Sequence, residues 1–149
     1  MEPEAVKMHV IEWKDEYLTE VDDIDSQHKT FVKLINRLNI IHDYNNKKAI
    51  AIRILSEIEK FAQYHFVSEE NIMLLTKYPA LNRQQQAHAA LLDEFMNRVQ
   101  NYINDKGSIE EVIRFLETWF AWHTVEEDKK IGIYINDRKK ENTGGDHGL

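Results

Sequence analysis

Four runs of apolar residues, each stepping by three and four positions, fill most of this 149-residue chain. Such a stripe covers one face of a helix and has to be buried against another. The first run is Phe31, Leu34, Ile35, Leu38 and Ile41, on a helix expected from near Ser26 to about Asp43. The second starts near Asn46, continues through Ile50, Ile54, Leu55, Ile58, Phe61, Ala62 and His65, and reaches about Leu75. The third begins after Tyr78, with Pro79 in its first turn, and carries His88, Leu91, Leu92, Phe95, Met96, Val99 and Ile103. Gly107 closes the next connection. Ser108 with Glu111 three residues on then forms a capping box ahead of Val112, Ile113, Phe115, Leu116, Trp119, Phe120 and Trp122.

Short connections make sequential helices antiparallel neighbours, and Gly (5) and Pro (2) are too scarce for a turn-rich β fold. The expected architecture is all-α, an up-down-up-down antiparallel four-helix bundle with an N-terminal arm. Residues 1–24 form the arm, where Val10, Ile11, Trp13, Tyr17, Leu18 and Val21 follow no sustained period and Trp13 is expected to pack across a bundle end. Residues 25–137 form the bundle, with a short extra turn of helix over 129–137. Residues 138–149 read as a polar, Gly-rich, disordered tail.

The net charge of −7 and the absence of a Lys/Arg-lined helix face argue against nucleic acid or an anionic membrane as a partner. Cysteine is absent, which excludes disulfides, thiolate catalysis, iron–sulfur clusters and cysteine zinc sites. The opening MEPEAVKMHVIEW has no apolar core of signal-peptide length, so the chain reads as cytoplasmic. Nothing in the sequence specifies an oligomeric state.

Of seven histidines, His9, His28, His42, His65, His88, His123 and His147, four fall one per helix on or beside the apolar stripes: His28, His65, His88 and His123. A single buried histidine is ordinarily a satisfied core residue. Four in one small core each need a polar partner, and a metal supplies it. His65 and Glu69 are four apart on one helix face. His123 is followed by Glu127 at four and Asp128 at five. Imidazole and carboxylate without thiolate suit iron, manganese or zinc, and two carboxylates able to bridge suit two metals. Taken singly, Glu69 with Glu70 reads as a solvated face, and Glu126 to Asp128 as an acidic helix end.

IDSQHKTF (24–31), YHFVSEENIM (64–73), YP (78–79) and W-x3-H-x4-D (119–128), with EW at 12–13 before them, resemble the hemerythrin family, within it the single-domain bacteriohemerythrins. The resemblance covers about residues 10–135. It implies two iron ions with an oxo or hydroxo bridge: His28 and His65 on one, His88 and His123 on the other, Glu69 and Asp128 bridging. It implies dioxygen as the ligand, bound at the iron with fewer histidines, and Phe31, Phe66 and Trp119 as walls of an apolar pocket. It also selects Asp128 over Glu127. In a regular helix Asp128 is turned about 140° from His123, so the backbone is expected to adjust between them by a wide turn or early fraying.

Two positions depart from the family pattern. Its H-x3-H on the third helix is Gln84-x3-His88 here, so one of five histidines is replaced by an amide, expected to face the same metal as His88 as a weak ligand or to leave a water there. Thr124 stands where a larger aliphatic residue is usual and is expected to make the pocket roomier or more polar. Two functions follow: an oxygen-binding protein for storage, delivery or sensing, favoured because most of the ligand set survives, or a di-iron enzyme acting on peroxide, nitric oxide or dioxygen through a coordination site opened by Gln84. A metal store or purely structural bundle is the third possibility.

Overall fold

The computed structural model describes residues 11–41 and 47–143. His9, His42, His147, the expected junction of the first two helices and residues 144–149 lie outside them. A short 3-10 turn at Asp15–Tyr17 precedes α1 (Asp22–Ile40), α2 (Lys47–Leu75), α3 (Leu81–Ile103) and α4 (Ile109–Trp122); a π-helical segment (His123–Asp128) joins α4 to α5 (Lys129–Thr143). The last three run on without a break. The chain therefore forms four rods, each packed on two neighbours: α1 against α2 and α4, α3 against α2 and α4. This is the expected antiparallel four-helix bundle.

The apolar stripes meet as two layers. Phe31, Ile35 and Leu38 of α1, Leu55 and Ile58 of α2, Phe95 and Val99 of α3, and Ile113, Leu116 and Phe120 of α4 are buried in the larger one. Ile24, Met73, Ile131 and Ile135 form a smaller one, flanked by Tyr78, Leu81 and Tyr134. Along α1, α2 and the fourth rod, the buried polar residues other than Asn39 fall between the positions that feed these layers, so a polar stratum is sandwiched between two greasy ones. Trp122, counted in the fourth stripe, is half exposed.

Local chemistry explains where the elements begin and end. Ser108 caps α4, its Oγ accepting the Glu111 N–H at 3.2 Å, as its spacing indicates. α1 starts at Asp22, a turn ahead of Ser26, because Asp22, Asp23 and Asp25 set negative charge against its N-terminus. The Asp25 carboxylate also accepts from the Thr19 N–H at 2.7 Å, the Thr19 hydroxyl at 2.8 Å and the Glu20 N–H at 3.1 Å, which holds Glu20 at φ 63°. Pro79 lies in the turn before α3, not in its first turn.

The arm and the C-terminal segment differ from expectation. Ile11 exchanges two 2.9 Å hydrogen bonds with the Asn36 side chain, Lys29 lies over the Trp13 ring, and Tyr17 meets Phe120 edge-on at 5.1 Å. The arm thus runs along α1 and touches α4 instead of crossing one end. α5 continues to Thr143, six residues beyond the end expected at 137. Burial of Ile131 and Ile135 against Ile24 and Met73 makes it a packed helix, so the expected tail does not begin at 138.

Gly132 is what lets α5 approach the arm. A Cβ built there would lie 2.1 Å from the Thr19 carbonyl oxygen, a backbone atom that cannot swing away. In an unpacked helix Gly→Ala gains about 1 kcal/mol. Here Gly132→Ala is expected instead to destabilise by about 1–3 kcal/mol, the usual cost of overpacking, seen as a lower urea midpoint at unchanged slope. A raised midpoint would show that α5 does not depend on this contact.

Candidate metal centre

Each rod delivers polar side chains into the stratum. α1 supplies His28; α2 supplies His65 and, one turn on, Glu69; α3 supplies Gln84 and His88; the π-helical segment supplies His123 and Asp128. All are buried, and His65, Glu69 and Asp128 have no exposed surface at all. Of the sequence-predicted set, the structure brings together His28, His65, Glu69, His88, His123 and Asp128.

The donor atoms sort into two groups. His28, His65, Glu69 and Asp128 each offer an atom within 4.8 Å of the others, as do Glu69, His88 and His123. Glu69 belongs to both: its Oε2 is 3.2 Å from His65 Nε2 and its Oε1 is 3.2 Å from His88 Nε2 and 3.5 Å from His123 Nε2. Asp128 also faces both ways, with Oδ2 2.7 Å from His28 Nε2 and Oδ1 3.0 Å from His123 Nε2. None of these four Nε2 atoms, nor any oxygen of the two carboxylates, has a hydrogen-bond partner among the described residues. Close approach without hydrogen-bond alignment is what donors aimed at points between them produce. Buried groups of this kind are otherwise costly, so the residues present fit a pair of metal ions.

The π-helical segment is the local device that completes the set. Its wider turn closes at five residues instead of four, which brings Asp128 back onto the side of His123. Of the two adjustments expected, the wide turn is the one used; the helix continues through it without fraying.

Neighbouring side chains fix the imidazoles. His65 Nδ1 donates to Gln27 Oε1 at 2.8 Å, and Gln27 Nε2 donates to Ser68 Oγ at 2.9 Å. His88 Nδ1 donates to Glu70 Oε2 at 2.7 Å. An amide oxygen or carboxylate only accepts, so the proton stays on Nδ1 and the Nε2 lone pair is left for a metal. The sequence did not single out Gln27, and Glu70 read as a solvated face. The available signal was adjacency, Gln27 beside His28 and Glu70 beside Glu69, but adjacency does not say which imidazole on another helix is met.

Residues 19–132 match the family model of the hemerythrin HHE cation binding domain. The chain belongs to the hemerythrin family. It is 27% identical over 128 residues to a bacteriohemerythrin of Clostridium acetobutylicum, covering 79% of this chain and 95% of that one. Against a bacteriohemerythrin of Stenotrophomonas maltophilia the identity is 20% over 142 residues, covering 93% and 92%. A Pseudomonas aeruginosa bacteriohemerythrin is 31% identical over a shorter stretch of 90 residues, 60% of this chain and 56% of that one. In fold, the chain is similar to a crystal structure of a hemerythrin mutant, with a TM-score of 0.76 and 22% identity over 85% of this chain and 98% of that one.

Gln84, expected from the sequence to depart from the family pattern, is 3% exposed and lies one turn before His88. Its Nε2 donates to Glu127 Oε2 at 2.8 Å, and its Oε1 has no hydrogen-bond partner among the described residues. Phe31, Phe66 and Trp119 line an apolar cavity of about 20 Å³ walled by all four rods. Phe66 stacks on His88 at 4.0 Å, Trp119 stacks on His123 at 5.5 Å, and Phe31 meets His65 edge-on at 5.3 Å. The cavity thus abuts the histidines. Thr124 is buried but is not part of its lining, so the expected effect of Thr124 on pocket size or polarity is not realised there.

Charge in the metal-free cluster is uneven. Burial opposes ionisation of Glu69, but the charge of His65 and contacts from His123, His65 and His88 outweigh it and hold the carboxyl well below its ordinary range. Burial pushes His65 down against the pull of Glu69. Burial works against His123 as well, yet Asp128 and Glu69 raise it to about 10. The proton on His123 therefore stabilises the metal-free fold fully below the ordinary imidazole range, and that contribution is lost as pH rises through about 10. A metal ion must displace this proton. Between neutral pH and about 10, affinity should rise by up to about tenfold per pH unit. Calorimetric titration in buffers of different ionisation enthalpy should show proton release at pH 7–8; the absence of release would contradict a protonated His123.

Proposed function

We propose that the bundle holds two iron ions with an oxo or hydroxo bridge and binds dioxygen, in the cytoplasm, for storage, delivery or sensing. The observation that carries this reading is the meeting of two buried donor groups at one shared carboxylate, Glu69. His28 and His65 would serve one ion, His88, His123 and Gln84 the other, with Glu69 and Asp128 bridging. A thiolate-free set of imidazoles and carboxylates suits iron, and membership of the hemerythrin family supports it. When bound, the pair supplies reversible two-electron chemistry toward dioxygen. The chain's own residues do the rest. Gln27 and Glu70 hold Nε2 of His65 and His88 toward the centre, and the apolar layers keep water out. Phe31, Phe66 and Trp119 offer the cavity through which a small apolar molecule would reach it. Among the described residues no helix is long and apolar enough to cross a membrane.

A second reading has its own observation. With Gln84, a weaker donor than imidazole, at this position, the ion at His88 and His123 would be a stronger Lewis acid and more open to exogenous ligands than with a histidine there. That favours an enzyme acting on peroxide, nitric oxide or dioxygen.

Iron analysis of protein from iron-supplied cells should give two ions per chain, one for each donor group; fewer than one would sink both readings. Optical spectra of the reduced protein exposed to air then separate them. A spectrum that persists and reverses when oxygen is removed marks a carrier, whereas rapid decay with consumption of the gas or of added peroxide marks an enzyme. Gln84→His should lengthen the life of the oxygenated spectrum and lower peroxide turnover and azide access. Identical behaviour of the two proteins would make Gln84 a bystander.

A further inference from the structure

We infer that Glu127 is a positioning residue, whose carboxylate fixes the amide of Gln84 so that oxygen, not nitrogen, is the end offered to the metal position beside His88 and His123. The inference rests on the two-metal reading above and adds to it a residue that the four-apart spacing from His123 offers as a ligand and the family pattern passes over for Asp128.

An amide has two ends of nearly equal size and opposite chemistry. The oxygen is a Lewis base; the NH2 group donates and cannot coordinate. Neighbours decide which way it points. Gln84 Nε2 lies 2.8 Å from Glu127 Oε2, and a carboxylate only accepts. Turning the amide over would set oxygen against oxygen at that distance and lose a charge-assisted hydrogen bond. Glu127 therefore removes one of the two orientations. What it leaves is Oε1, buried and without a hydrogen-bond partner among the described residues, on a side chain one turn from His88. A glutamine that replaces a histidine ligand needs such a clamp. A free amide presents its useless end about as readily as its oxygen.

The backbone accounts for the placement of Glu127. In a regular helix it would share the face of His123. The wide turn brings Asp128 to that face instead and leaves Glu127 beside α3, buried at 9% exposure. Adjacent carboxylates thus divide the work: Asp128 belongs to a donor group and Glu127 to neither.

The test is anaerobic titration of the metal-free full-length chain with cobalt(II), whose visible spectrum reports the donor set. For wild type we expect two equivalents. In Glu127→Ala the second should bind about 10–100-fold more weakly, the usual cost of losing an orienting partner, while the first is unchanged. Gln84→Ala should show the same loss, the double variant no greater loss than either single one, and Glu127→Gln, whose amide oxygen still accepts from Gln84, a substantial recovery. Wild-type affinity in Glu127→Ala overturns the inference. Additive losses overturn it, and so does a loss in Glu127→Ala with none in Gln84→Ala, which makes Glu127 itself the ligand. A wild-type chain that takes no second equivalent overturns the two-metal reading instead. If Glu127→Ala does not fold, as judged by circular dichroism, the wild-type protein still decides. The Gln84 side-chain NH2 signals should be shifted and slow to exchange in nitrogen-15 NMR, and rapid exchange shows that no clamp exists.

Discussion

Glu69 and Asp128 place their carboxyl groups where no solvent reaches, and the remainder of the bundle is organised around that fact. A buried carboxylate is tolerated only with partners close by. The partners here are imidazoles: those of α2 and the π-helical segment lie within 4 Å of both carboxylates, with His28 of α1 on Asp128 and His88 of α3 on Glu69. Every rod therefore has to reach the same stratum at the same height. In the metal-free chain a proton on His123 compensates part of the charge. Metal ions held there would compensate more of it and relieve the orphaned donor atoms together, so that binding and folding would draw on the same set of contacts.

Placing this stratum between two apolar layers has a structural consequence. Electrostatic interactions within it are strong because water is excluded, and that exclusion depends on both layers being closed. The larger closes through the four stripes. The smaller closes only because α5 brings Ile131 and Ile135 onto Ile24 and Met73, and because the arm, tied by Asp25 to the first turn of α1, lies close enough for Thr19 to meet Gly132. Segments at both ends of the bundle thus belong to the enclosure of the site. The π-helical segment sets the register of this second layer, since α5 is continuous with it. A wide turn disrupts a regular helix, and its persistence here at His123–Asp128 follows from two buried carboxylates that depend on it.

Much was legible without coordinates. The stripes located four rods, and the positions of His28, His65, His88 and His123 on them located the polar stratum. Glu69 followed from its four-residue step. Asp128 required the family pattern, because helical geometry alone preferred Glu127. The boundaries were poorer. Apolar periodicity marks the part of a helix that packs, whereas α1 begins through acidic residues interacting with its dipole, and α5 extends because its few apolar residues meet partners distant in sequence.

What the sequence by itself determined was which residue types sit on which helical face, a property of local spacing: apolar stripes, one histidine per rod, a carboxylate one turn from His65, and an amide one turn before His88. What only the tertiary structure decided were the pairings across rods: Gln27 on His65, Glu70 on His88, Glu127 on Gln84, and Glu69 shared between two groups of donors. Spacing along one helix sets the direction of a side chain. The partner in that direction is set by the rotation and height of another helix, which follow from the packing of whole layers and are written in no single segment of the chain.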